Sequence, residues 1–179
     1  MAVTVYLQEW NGPGAGAPTA KNGGQTIQFK SADNPAVEVW PVVTEGLTKP
    51  NAGVFRSYEK YLKTRLNAIA LPSVDIRNIE VFISGSAPDD GTAIYAKKEA
   101  AYTPPLAGGY DAGGAMVGPK VDLFTYTSAA PLSLDDGATP YVIAGDVGDH
   151  LVLQMEVYPT ASTGASSSFN MVLRYDETT

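Results

Sequence analysis

An antiparallel β-sandwich of jelly-roll type, mainly β and in one domain, is the fold this sequence predicts, and three observations predict it. Apolar residues recur at every second position in short runs along the chain, the spacing that puts a greasy stripe on one face of a strand. The 18 glycines and 13 prolines cut the chain into pieces too short for long helices. No alternation of strands with helices runs through it, so the pieces should pair antiparallel. A length of 179 residues suits one domain, and a hydrophobic content of 44% supplies a core. The expected organisation is a strand and a Gly/Pro-rich arm or loop over 1–24, then the sandwich with long loops over 25–179.

Val3, Val5 and Leu7 alternate with Thr4 and Tyr6, which predicts a first strand. From Asn11 to Gly24 the chain is too poor in apolar groups to pack on itself, and its glycines make one ordered conformation entropically costly. This is either a surface loop or an arm that orders against a neighbouring subunit. Ile27 and Phe29 stand at strand spacing. Val37 to Val43 reads as extended, at an edge or broken at Pro41, which cannot donate to a ladder.

Val54 to Ile69 fits two periods: Phe55, Tyr58, Leu62, Leu66 and Ile69 stand at helical intervals, while Tyr58, Leu62 and Leu66 also share a strand face with Tyr61 opposite. Gly53, Pro72 and the strand-like surroundings favour a strand, with one short helix as the alternative. Ile79, Val81 and Ile83 alternate with Glu80 and Phe82 in the next strand; Asp90-Gly91 is a common turn pair, and Thr92 to Lys98 follows as another. The stretch from Ala101 to Lys120 is rich in Pro, Gly and Ala and long for a compact domain, so it is a candidate binding or interface loop. Val121, Leu123 and Thr125 restart the alternation, Tyr141 to Ala144 adds a strand, and Gly145 to Asp149 reads as a turn.

The chain closes on two runs expected to pair. In the first, Leu151, Leu153, Met155 and Val157 take one face and His150, Gln154 and Glu156 the wettable one. In the second, Phe169, Met171, Leu173 and Tyr175 point inward with Asn170 and Arg174 outward. Pro159 to Ser168 would be a long hairpin connection. The total is about nine short strands.

Chemistry is sparse. The formal net charge of −7 argues against a nucleic-acid partner, since phosphate affinity comes from Lys and Arg displacing counterions. Without cysteine there are no disulfides, thiolate nucleophiles or Cys-based zinc sites. No run approaches the roughly 20 apolar residues of a membrane helix, and Met1 to Trp10 lacks the basic leader and apolar stretch of a secretory signal. A soluble protein made in the cytosol, with no membrane partner, is expected. The one histidine, His150, has no nucleophile motif to serve and is expected at the surface, at a strand end. Asp89-Asp90, Asp135-Asp136, Asp146 and Asp149 lie in Gly-bearing turns, where calcium could be held but where Asp is common anyway. Glu80 and Glu156, both expected outward, lack the cleft and stacking aromatics of a glycosidase. No catalytic residue, metal site or cofactor is expected.

The pieces Tyr61 to Leu66, Asn78 to Gly85, Gly91 to Tyr95, Tyr102 to Pro105, Asp149 to Val157 and Leu173 to Glu177, in that order, resemble structural proteins of tailed-bacteriophage particles. The resemblance spans roughly residues 55 to 177 as strand texture and leaves out the N-terminal third. It implies a non-enzymatic virion component: a capsid decoration (cement) protein gripping the shell through loops and strand edges, or else a tail or fibre module that binds carbohydrate or a receptor, using exposed Trp10, Trp40 or Tyr110. The implied partners are the major capsid protein or other virion subunits, with further copies of the chain in a homo-oligomer, and the implied location is the virion. The candidate contact residues are Trp10, Pro13, Pro18, Tyr102 and Tyr110.

Overall fold

The computed structural model describes residues 3–12, 18–21, 25–38, 44–67, 74–104, 116, 118–163 and 168–178. Within them ten strands form two antiparallel sheets: β1 (Thr4–Trp10), β2 (Thr19–Lys21), β3 (Phe55–Arg56), β4 (Lys60–Asn67), β5 (Asp75–Ser84), β6 (Thr92–Glu99), β7 (Val121–Asp122), β8 (Leu132–Ser133), β9 (Gly145–Val157) and β10 (Asn170–Thr178). The large sheet runs β2-β1-β4-β9-β6-β7, with β3 also on β9; the small one runs β10-β5-β8. The predicted all-β, antiparallel, single-domain class is what the chain adopts.

β9 is the axis of the large sheet. Its 13 residues are flanked by β3 and β4 on one edge and β6 on the other. Both of its edges are therefore taken, and the expected pairing with the last run does not occur: β10 joins β5 in the opposite sheet. The two runs belong to different layers of one sandwich, joined by the connection after Val157. The two apolar stripes meet across a shared core instead. Leu151 and Leu153 of β9, Leu62 and Leu66 of β4, Ile94 of β6 and Leu7 of β1 are buried against Ile76, Ile79 and Val81 of β5, with Met171, Leu173 and Tyr175 of β10 packed on them. Each fully buried Leu or Ile is worth roughly 1.5–3 kcal/mol, more than any exposed ion pair.

Val54 to Ile69 resolves as strand over its described part, split into β3 and β4 on the same edge of β9, with Tyr58, Leu62 and Leu66 buried. Other expectations are corrected. Gln25–Lys30 is not a strand; Ile27 and Phe29 pack on the core from an irregular segment. After β7 the chain turns into a 3₁₀ turn, Leu123–Thr125, with Asp122 accepting a bond from the Phe124 amide. Tyr141 makes only an isolated bridge to Ile76, leaving Val142 and Ile143 exposed. The expected turn at Gly145 to Asp149 is the first part of β9, which bulges there: one β4 residue lies between Leu62 and Thr64 where three β9 residues lie between Val147 and Leu151. Gly148, at φ +69°, allows that bulge; a Cβ on it would lie 2.5 Å from the Leu134 carbonyl oxygen.

Candidate interaction site on the large sheet

The side of the large sheet turned away from the core is also largely covered. Along β9, His150, Val152, Gln154 and Glu156 point to it and all four are buried. This corrects one expectation, since His150 is not a surface residue; Glu156 does lie on the outward face, but is covered there. Polar groups can be buried where partners meet them, and here they come from β3 and the residue after it, from Met116 and Lys120 ahead of β7, and from Tyr158 just past β9. Gln154 accepts from the Met116 amide at 2.9 Å and donates to the Ser57 carbonyl at 3.1 Å. Glu156 takes Arg56 at 3.0 Å and Lys120 at 2.8 Å on one oxygen, and the Tyr158 hydroxyl at 2.7 Å on the other. These donors hold its carboxyl below the usual range against the opposing effect of burial, which is the largest single influence. Glu80 sits on β5 in the other sheet, so the two acids form no catalytic pair.

At one end of this face four rings meet. Trp10 lies 5.8 Å from Tyr102 and 5.7 Å from His150, and Tyr61 lies 5.0 Å from Tyr102 and 6.1 Å from His150, centroid to centroid. Register explains the meeting: Trp10 of β1 stands opposite Tyr61 of β4, and Tyr61 opposite Val152, one step along the same β9 face from His150. Tyr102, three residues past β6, folds over them, and its hydroxyl donates to the Gly12 carbonyl at 2.7 Å. Burial, with Asp33 nearby, pushes its phenol up to about 12. Asp33 fixes the same spot by accepting from the Gly12 amide at 2.7 Å and from Asn11 at 3.0 Å.

Two of the predicted contact residues, Trp10 and Tyr102, are thus brought together, half-buried, where the two Gly/Pro-rich segments leave the sheet. Pro18 is exposed just before β2. Pro13, Trp40 and Tyr110 lie outside the described residues. Sequence reasoning missed Tyr61 and His150 in this cluster, although the alternation already set His150 on the face of Val152. Removing the hydroxyl in Tyr102→Phe should cost about 1 kcal/mol and make the chain near Gly12 easier to cut, measured as faster limited proteolysis with the ring cluster intact.

Neither His150 ring nitrogen makes a hydrogen bond of ordinary geometry among the described residues. Burial, reinforced by the Lys63 ammonium, lowers its pKa below 6.5, outweighing the backbone of Glu99 and Ala100 and the Asp146 carboxylate. The unfolded chain then binds the proton first. The stabilising effect of the neutral ring is complete above about 6.5 and shrinks as pH falls toward the lowered folded value, by up to about 1.4 kcal/mol per pH unit. Urea unfolding at pH 7.5 and 5.5 should show this loss in the native chain and not in His150→Phe.

On the core-facing side, beyond Leu62, charged residues close the end of the sandwich. Glu9 pairs with Lys60 at 2.9 Å and Lys21 at 3.1 Å, with both Glu9 and Lys60 almost wholly buried. Lys60 also donates to the Asn34 carbonyl at 2.9 Å; Lys30 pairs with Glu45 at 2.7 Å and with the Asn34 side chain. This network clips residues 25–38 onto the sheet. Among the described residues no group of three or more acids and His could hold a metal ion, and two of the candidate aspartates have partners within the fold: Asp136 accepts from Tyr141 at 2.8 Å, and Asp146, at the start of β9, takes Gln8 at 2.6 Å and Arg65 at 2.9 Å. No helix among the described residues is long and apolar enough to cross a membrane.

Comparison with protein-family models, with curated proteins and with solved structures found no match for this chain.

Proposed function

We propose that the chain is a non-enzymatic structural protein of a virion, a capsid decoration protein that grips shell subunits through its long segments and strand edges. The observation that carries this reading is the common root of the two Gly/Pro-rich segments at Trp10, Gly12 and Tyr102, on a sheet covered on both sides. A rigid platform that positions loops is the usual arrangement for binding through loops. The resemblance of the strand pieces to bacteriophage structural proteins supplies the class of partner, the major capsid protein. A net charge of −7 suits an outer position, away from packaged DNA. Weak contacts repeated over a shell would add through multivalency, so no single deep pocket is required.

The rings of Trp10 and Tyr102 pack on neighbouring rings instead of standing open as a platform, which favours this role over sugar binding by those residues. The test is co-sedimentation of the purified chain with empty shells assembled from the capsid protein of the same genome. Saturable binding, with 11–24 and 101–120 gaining protease resistance on the shells, is expected. Absence of binding, together with specific retention on a glycan array, would replace the proposal with the receptor-binding reading.

A further inference from the structure

We propose that two copies of this chain join through the outer edge of β10, forming a continuous six-stranded sheet from the two small sheets. This rests on the homo-oligomer expected of a virion component and names its surface. β10 pairs with β5 along its whole length, and its other edge has no backbone partner among the described residues. Nine residues of open edge, without Pro or Lys, form a template for another strand.

The edge strand carries no bulge of its own, because the extra residue in this sheet lies on its neighbour. Arg174 opposes Glu80 and Asp176 opposes Arg77, so Tyr175 faces both Asn78 and Ile79 and the extra residue belongs to β5. Asn78 absorbs the bulge at φ 51°, and its amide donates to Asp176 at 2.5 Å.

The charges on β10 favour a second copy as the partner and one register for it. A two-fold axis perpendicular to the sheet brings antiparallel copies together with core-facing residues opposite core-facing ones. With Tyr175 on the axis, Arg174 of each copy stands opposite Asp176 of the other. Shifting the axis to Arg174 or to Asp176 sets like charges against each other, which disfavours those registers. Arg174 is already aligned for this: Glu80 holds its guanidinium at 2.6 and 2.9 Å beside the ring of Phe82, so the second copy's Asp176 would extend a charge row Glu80, Arg174, Asp176 across the seam.

A charge exchange tests it, by light scattering and sedimentation on the purified chain. The native chain should dimerise, and Asp176→Arg or Arg174→Asp alone, which places like charges opposite each other twice, should weaken association roughly tenfold or more. Mixing the two variants should restore it, since each then meets its opposite. Circular dichroism verifies folding of each variant. Should either fail to fold, hydrogen exchange of the native chain decides: amides of 172–178 should gain protection as concentration rises. A native chain that stays monomeric with unchanged exchange there, or an oligomer indifferent to both substitutions, overturns the proposal. Capsid binding is not used in this test, so it can fail without deciding the virion reading, and the reverse.

Discussion

Glu9→Gln should lower the unfolding free energy by about 3–5 kcal/mol, a large part of the 5–15 kcal/mol typical of a domain. Glu9 holds the ammonium groups of Lys60 and Lys21, and the side chains of all three are 5% exposed or less. Neutralising it leaves two cations in a low-dielectric setting where the Asn34, Thr26 and Pro35 carbonyls supply only dipoles. The effect should reach the segment those lysines clip: hydrogen exchange in 25–38 should accelerate more than in β9. Urea midpoints measure the first effect, and Arg65→Ala provides the contrast. Its exposed pair with Asp146 should be worth no more than about 1 kcal/mol.

Gly91→Ala should cost about 3 kcal/mol or more. Gly91 sits at φ +81° in the turn before β6, and a Cβ there would fall 2.5 Å from the Cα of buried Ala161 and 2.5 Å from the carbonyl carbon of Thr160. The same place holds the bond from the Tyr158 amide to the Gly91 carbonyl at 2.8 Å, so the turn pins the chain as it leaves β9 for the small sheet. Gly53→Ala separates the two causes. That glycine has a similar φ of +76° with nothing within 4 Å, so only the conformational cost of about 1 kcal/mol applies. Equal losses at both positions would show that the close approach at Ala161 is relieved cheaply.

The strands are legible in the sequence wherever the period of two persists. It persists through β6 and β9 after His150, where the face of each residue was legible; in β4 Leu62 and Leu66 stand at helical as well as strand intervals, and only the flanking Gly53 and Pro72 and the strand-like surroundings favoured the strand. The period breaks inside β5: Ile79, Val81 and Ile83 face the core, but the bulge at Asn78 changes the parity, so that Ile76, three residues before Ile79, faces it too. A strict alternation starting at Ile79 therefore finds only half of the strand. Alternation also cannot say which strand is next door. The stripes on β9 and β10 are complementary because they meet across the core, and nothing local distinguishes that from pairing edge to edge.

The candidate site was legible in part. Trp10 and Tyr102 stood out as aromatic residues at the roots of Gly/Pro-rich stretches, and they do meet. His150 and Tyr61 were hidden because a polar face reads as a wet one. What buries it is a cover formed by segments with no period of their own, whose partners, such as Met116 for Gln154 and Lys120 for Glu156, are far along the chain.

The most direct test of the account is an electron cryomicroscopy map of particles from the genome that encodes this chain. The account predicts copies of this sandwich on the outside of the shell, with the Trp10–Gly12–Tyr102 edge and the segments rooted there against capsid subunits. A particle without the chain, or one that holds it by a different surface while that edge faces solvent, would contradict it.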